Sequence, residues 1–243
     1  AAVVVGVLLR LVLPARGPSA GAGTAPNAAE LLRTYAPLLK APTARGVQGI
    51  MLGAALRNVT AWGMLTYLGA FLAQRHDFGQ QQIGWAFLAI GAGHFTGSLA
   101  IGGRLVPGGG PSLRAAFGVL HLLAGVLVGG AFALPLPVAG AAALFVVAAV
   151  VLGAADVVTT RVLVAETPAG RATTLTLNGS ATSLGGALGG SLGGALLSLS
   201  GFGALGTLLC ATGGVAAGAV WLSRPRAVGP TERPAHSRSP RRP

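Results

Sequence analysis

Apolar residues in this chain come in continuous runs, without the strict alternation of strands or the one-sided stripe of a surface helix. Six such runs cover residues 47–73, 82–103, 113–134, 138–160, 174–199 and 202–222. Each is near the ~20 residues that an α-helix needs to cross a hydrocarbon core ~30 Å thick. Helices are required because lipid offers no partner to an open strand. The runs are also about twice as long as the ~10-residue alternating segments of a membrane β-barrel. The expected fold class is therefore an all-α membrane protein with six transmembrane helices in a bundle over 47–222. A shorter apolar stretch, AAVVVGVLLRLVL at 1–13, lacks the basic n-region and A-x-A site of a signal peptide and is too short to span. It reads as the end of a truncated transmembrane helix.

Composition agrees with this class and excludes others. The chain is 52% hydrophobic and only 9% charged, against about 25% charged in an average soluble domain. That removes a soluble enzyme and a disordered chain. Residues 14–46 form a linker rich in Pro, Gly and Ala, read as cytoplasmic, with a short surface helix over 28–40. Residues 223–243 form a basic tail of disordered composition, with six Arg against Glu232.

Net charge is +12, which in a soluble chain would suggest nucleic acid. Placement changes that reading. With six alternating helices, fifteen of the seventeen Lys and Arg fall on one side of the bilayer. The other side has Arg75 beside Asp77, and Arg57 lies inside the first run. The positive-inside rule then makes this a multi-pass protein of the plasma (inner) membrane with linker and tail cytoplasmic. The expected partner is the lipid bilayer, with no nucleic acid. The single Cys210 says nothing about redox compartment.

Glycine supplies the packing logic. The fifth run contains LGGALGGSLGG, with Gly185, Gly189 and Gly193 four apart and Gly186, Gly190 and Gly194 likewise. The second run has Gly93 and Gly97 at the same spacing. Small residues four apart let helix backbones approach closely in lipid. The second and fifth runs are the middle members of two consecutive triplets. The first members carry one ionisable residue each, Arg57 and Asp156. This is a weak internal symmetry of the inverted three-plus-three kind. Gly91-x-Gly93-x-x-x-Gly97 imitates a dinucleotide fingerprint, but no strand precedes it, so packing is the reading. No His, Cys or Glu cluster has metal-ligand spacing, and no cofactor is expected.

Two segments resemble a known family. LTYLGAFLAQRHDFGQQQIGWAFLAIGAGHFTGSLAIGGRL (65–105) looks like the seventh and eighth helices of a major facilitator superfamily transporter, and RVLVAETPAGRATTLTLNGSATSLGGALGGSLGGALL (161–197) like its tenth-to-eleventh loop and eleventh helix. The resemblance covers about residues 28–222 and is nearest the sugar-efflux and drug:proton antiporter branch. It implies that the chain is the C-terminal half of such a carrier, helices seven to twelve as two inverted three-helix repeats. The missing N-terminal six-helix half and a small-molecule substrate would be its partners. The loop after the eighth helix departs from the family's G-x-L-x-D-R-x-G, having Pro107 for the Asp and Gly108 for the Arg. Gly185, Gly189, Gly193 and Gly194 match the antiporters' G-x-x-x-G-P-x-x-G-G, with Gly190 for the Pro.

Candidate site residues follow from polar groups inside the runs. Arg57 lies about 15 Å into its helix by rise per residue, where a charge costs roughly 2.5–3.5 kcal/mol and usually serves function. It would attract an anionic substrate group or a carboxylate. The bland reading is an Arg snorkelling to the interface. Asn58 adds a polar group nearby but on a different face, as does Thr60, and Tyr67 falls roughly on the Arg57 side. Asp156 and His94 are the proton-coupling candidates. The bland readings are an Asp156 paired at the interface with Arg161 or Arg104, and a neutral His94 bonded to a neighbouring helix. Asn178 is a cavity or interhelix hydrogen bonder. His121 is structural, because the resemblance makes its helix peripheral.

The function expected is secondary active transport, as proton-coupled efflux of a small organic molecule or drug. The alternative is a stand-alone six-helix membrane protein acting as an assembly partner or a decayed, non-transporting fragment. A third class is an intramembrane serine hydrolase using Ser98 or Ser180 with His94 or His121, but neither serine lies in a G-x-S-x-G motif.

Overall fold

The computed structural model describes residues 44–101, 111–167 and 171–222. The stretch 1–13, nearly all of the 14–46 linker, the loop with Pro107 and Gly108, and the 223–243 tail lie outside them. The described residues are all-helical, with no strand among them. The elements are α1 (Ala44–His76), α2 (Gln80–Thr96) continued by a π-helical turn at Gly97–Ile101, α3 (Pro111–Ala133), α4 (Val138–Glu166) and α5 (Arg171–Leu222). Gly201 breaks α5 at φ 73°, ψ −168°, a region essentially reserved for glycine. The two arms, 171–200 and 202–222, correspond to the fifth and sixth apolar runs.

Local chemistry sets the boundaries. α1 ends where Asp77 takes φ 54°, and Gln82 Oε1 then accepts the Gly79 N–H at 2.8 Å to start α2. α3 opens on Pro111, a residue preorganised for a first helical turn. Leu134-Pro135-Leu136-Pro137 separates it from α4, because Pro135 and Pro137 have no N–H to continue a helix. α4 runs beyond residue 160, where its apolar run stops. Arg114 of α3 makes a two-pronged ion pair with Glu166, and the Thr167 hydroxyl donates to the Leu163 carbonyl at 2.6 Å. These contacts neutralise a polar last turn that hydropathy alone excludes. Arg161 is consequently a helix residue, not a loop residue.

Three helices among the described residues are long and apolar enough to cross a membrane: Ser112–Ala133, Val138–Glu166 and Thr174–Leu222. The last has 49 residues, over 70 Å at ~1.5 Å per residue, more than twice one bilayer core. α1 interrupts its apolar run with Arg57, Asn58 and Thr60, and the α-helical part of α2 has 17 residues.

Glycine contacts define three helix pairs. A Cβ on Gly185 would strike the Ala55 carbonyl, and one on Gly189 would lie 2.6 Å from the Val59 carbonyl. The first arm of α5 therefore packs parallel to α1. A Cβ on Gly97 would strike Val150, one on Gly153 would strike the His94 carbonyl, and one on Gly93 would lie 3.0 Å from the Val146 carbonyl. α2 and α4 thus also pack in parallel. Gly125 meets Gly213 and Gly129 meets Gly206, so the second arm of α5 is antiparallel to α3.

The bundle ends differ. At the turn-bearing end, Phe71, Phe132, Phe145 and Phe202 form a cluster, with Phe71 edge-on to the other three at 5.1–5.6 Å. Each such pair contributes about 0.5–1.5 kcal/mol beyond area burial. The Arg75 guanidinium lies over Phe71 and Phe202 at 5.7 and 5.8 Å. At the other end Val47, Ile50, Leu113, Phe117, Val158, Val162, Leu163 and Val220 form a second apolar cluster beside Arg114–Glu166.

Candidate functional site

The α2–α4 glycine contacts fix the site. Gly93, Gly97 and Gly153 remove side-chain bulk between the two helices, and the Ser98 hydroxyl lies 3.0 Å from the His94 carbonyl and 3.2 Å from the Gly153 carbonyl. That hydroxyl sits in the π-helical turn and ties the two backbones one turn from His94. Asp156 follows Gly153 by three positions, so its side chain emerges towards α2 and α1.

Its carboxylate is bracketed. Arg57 Nη2 of α1 lies 2.6 Å from Asp156 Oδ1, and His94 Nε2 of α2 lies 3.2 Å from Asp156 Oδ2. Arg57 is 6% exposed, Asp156 39% and His94 44%. The arginine is thus the buried floor of the cluster, while the carboxylate and imidazole open to a cavity of about 390 Å³. Trp62, Met64, Leu65, Phe87, Ile90 and Leu152 supply apolar walls and Asn58 a polar one. A second cavity of about 440 Å³ adjoins it across Asn58 and Trp62, bounded on α5 by Thr182, Ser183, Gly186 and Ala187.

The expectations for single residues fare differently. Arg57 does not snorkel; it is buried and paired, and the carboxylate it attracts is Asp156. Asp156 is not paired with Arg161. Five positions along a helix turn a side chain by about 500°, some 140° away from the first, so Arg161 projects elsewhere. Arg104, its other expected partner, lies outside the described residues. Asn58 does share the cavity with Arg57, because adjacent residues can flank one broad opening. Its Nδ2 donates to the Ala54 carbonyl at 3.0 Å. Tyr67 does not reach the cavity: its hydroxyl donates to the Gly190 carbonyl, and its ring lies against Gly193 and Gly194. Thr60 faces away, bonded to the Thr212 hydroxyl at 2.9 Å. Asn178 lines neither cavity, and its Oδ1 is buried with no hydrogen-bond partner among the described residues. Gly185, Gly189, Gly193 and Gly194 all face α1.

Trp62 is the residue that sequence reasoning passed over. It flanks both cavities and is 52% exposed. Its signal was its position one turn after Asn58 on the same helix. The hydrolase arrangement is not assembled: Ser98 bonds to backbone carbonyls and Ser180 to the Thr176 carbonyl at 3.4 Å, not to an imidazole. Among the described residues no group of three His, Cys, Asp or Glu is placed to hold a metal ion.

No family model, curated protein or solved structure matches the chain.

Proposed function

We propose that this chain is the C-terminal half of a major facilitator-type secondary transporter, working as a proton-coupled exporter of a small organic molecule across the plasma (inner) membrane. The observation that carries this reading is the Arg57–Asp156–His94 cluster, drawn from three helices and open to a mostly apolar cavity. Ionisable groups among membrane helices are costly and mark substrate or proton paths. A carboxylate between an arginine and a histidine can accept a proton. Protonation would loosen its hold on Arg57, which would link proton occupancy to the shape of the cavity.

The helix pairing supports the inverted repeat. Taking α1–α2–α3 as one triplet and α4 with the two arms of α5 as the other, the first member of each packs in parallel on the middle member of its counterpart. The third members pack antiparallel on each other. An exchange of triplets about an axis in the membrane plane carries this set of contacts onto itself.

The test uses everted membrane vesicles containing the full-length protein, with a pH gradient followed by quenching of an acridine dye. Compounds offered singly would be organic cations, organic anions and neutral sugars. Addition of a transported compound should dissipate the gradient, and Asp156→Asn should abolish this. Equal dissipation by Asp156→Asn would overturn the proton-coupling role, and no response to any compound class would count against transport.

A further inference from the structure

The charge cluster has a fourth side. His121 on α3 is buried, with its ring stacked on Phe117 at 3.8 Å. Its Nδ1 is 2.7 Å from the Phe117 carbonyl. A carbonyl only accepts, so Nδ1 carries the hydrogen and the neutral ring's Nε2 is left with a lone pair. That Nε2 is buried without a hydrogen-bond partner among the described residues, and so is Nε of Arg57, which can only donate.

The two orphans occupy matching positions on their helices. A Cβ on Gly53 would meet the Phe117 ring at 2.8 Å, so those residues oppose each other. Arg57 and His121 each follow by four positions, one turn further along. His121 accordingly lies within electrostatic range of both Arg57 and Asp156. From α1 the facing charge is Arg57 and from α4 Asp156. α5 contributes Gly213 against the His121 carbonyl, with Cys210 two turns away against Gly129.

We infer that His121 is a positioning residue for the site: its Nε2 lone pair takes the Nε–H of Arg57 through one buried water, and so keeps the guanidinium turned towards Asp156. A buried donor and a buried acceptor at the same level on facing helices each carry an unmet need, which one water held between them would meet. The cluster then has a wet face, His94, and a dry face, His121, on opposite sides of one ion pair.

The decisive measurement is the solid-state 15N spectrum of the full chain in liposomes with 15N-labelled histidine imidazoles, His121 being assigned by loss of its signals in His121→Gln. The expected spectrum has His121 protonated at Nδ1, with a hydrogen-bonded, unprotonated Nε2. Arg57→Met should shift Nε2 to the position of a free acceptor. A proton on Nε2 in the unaltered protein overturns the inference, as does an Nε2 signal indifferent to Arg57→Met. This arm holds whether or not the protein transports. The second arm rests on the proposed transport: His121→Leu should lower the rate about tenfold, the cost of stranding a buried donor. His121→Gln, which keeps an acceptor, should stay within about threefold of the unaltered protein. Equal losses in the two variants would reduce His121 to a packing residue.

Discussion

Arg57 and Asp156 form one pair but do not share one environment, and the difference has a measurable sign. Removing Asp156 strands a guanidinium that is 6% exposed; removing Arg57 leaves a carboxylate 39% exposed at the cavity wall. An uncompensated buried charge costs roughly 3–5 kcal/mol, whereas the cavity can hydrate the carboxylate. Asp156→Leu should therefore destabilise the folded chain in detergent by roughly 3–5 kcal/mol and Arg57→Met by clearly less. The double variant Arg57→Met/Asp156→Leu should recover most of the loss. Thermal unfolding of the four proteins reads the cycle. Additive losses would mean that the two side chains do not act as a pair. That Arg57 has a carboxylate partner is suggested by its depth in an apolar run. That the partner is Asp156, about a hundred positions away, comes only from the packing of α1 and α2 on α4.

At the scale of elements, the glycines divide by what stands opposite them. A Cβ on Gly153 would strike the His94 carbonyl, whereas one on Gly218 would meet nothing within 4 Å. Gly153→Ala should force α2 from α4, lower the melting temperature and separate His94 from Asp156. Gly218→Ala should be neutral or stabilise by up to about 1 kcal/mol, because alanine loses less backbone entropy in a helix. If both substitutions had the same effect, the close approach of α2 to α4 would be wrong. Gly201 is a third kind. Its surroundings are open, but its backbone is not available to other residues, so Gly201→Ala should cost about 1–3 kcal/mol through conformation alone. Helix existence and the glycine faces were legible in the sequence because both are local patterns. The last turn of α4 was not, since Glu166 looks like loop until Arg114 of another helix covers it. Nor was the place of Tyr67: ten positions of helical arithmetic put it near the Arg57 side, but the Gly190 carbonyl decides where its hydroxyl goes.

The whole molecule has two chemically distinct ends, and their assignment to sides of the membrane gives the last prediction. The Asp77–Gly79 turn, the Leu134–Pro137 turn and the Gly201 break follow the first, third and fifth helices of an alternating bundle, so they share one end. Phe71, Phe132, Phe145 and Phe202 draw that end together, with Arg75 lying over two of the rings. The opposite end carries the Arg114–Glu166 pair and, by sequence, leads towards the basic linker and tail. Basic loops are retained on the cytoplasmic side during insertion, so under the proposed topology the phenylalanine end is expected outside. In a Cys210→Ser background, Leu136→Cys should react with a membrane-impermeant maleimide in intact cells. Ser223→Cys should react only in everted vesicles. Arg75 does not compete with this assignment, because its charge lies over aromatic rings and beside Asp77, and one such residue is outweighed by fifteen. Labelling of Ser223→Cys from outside would invert the bundle. It would also turn the Arg114–Glu166 end towards the external solution, against the charge bias of fifteen of the seventeen basic residues, and would overturn the topology on which the proposed exporter rests.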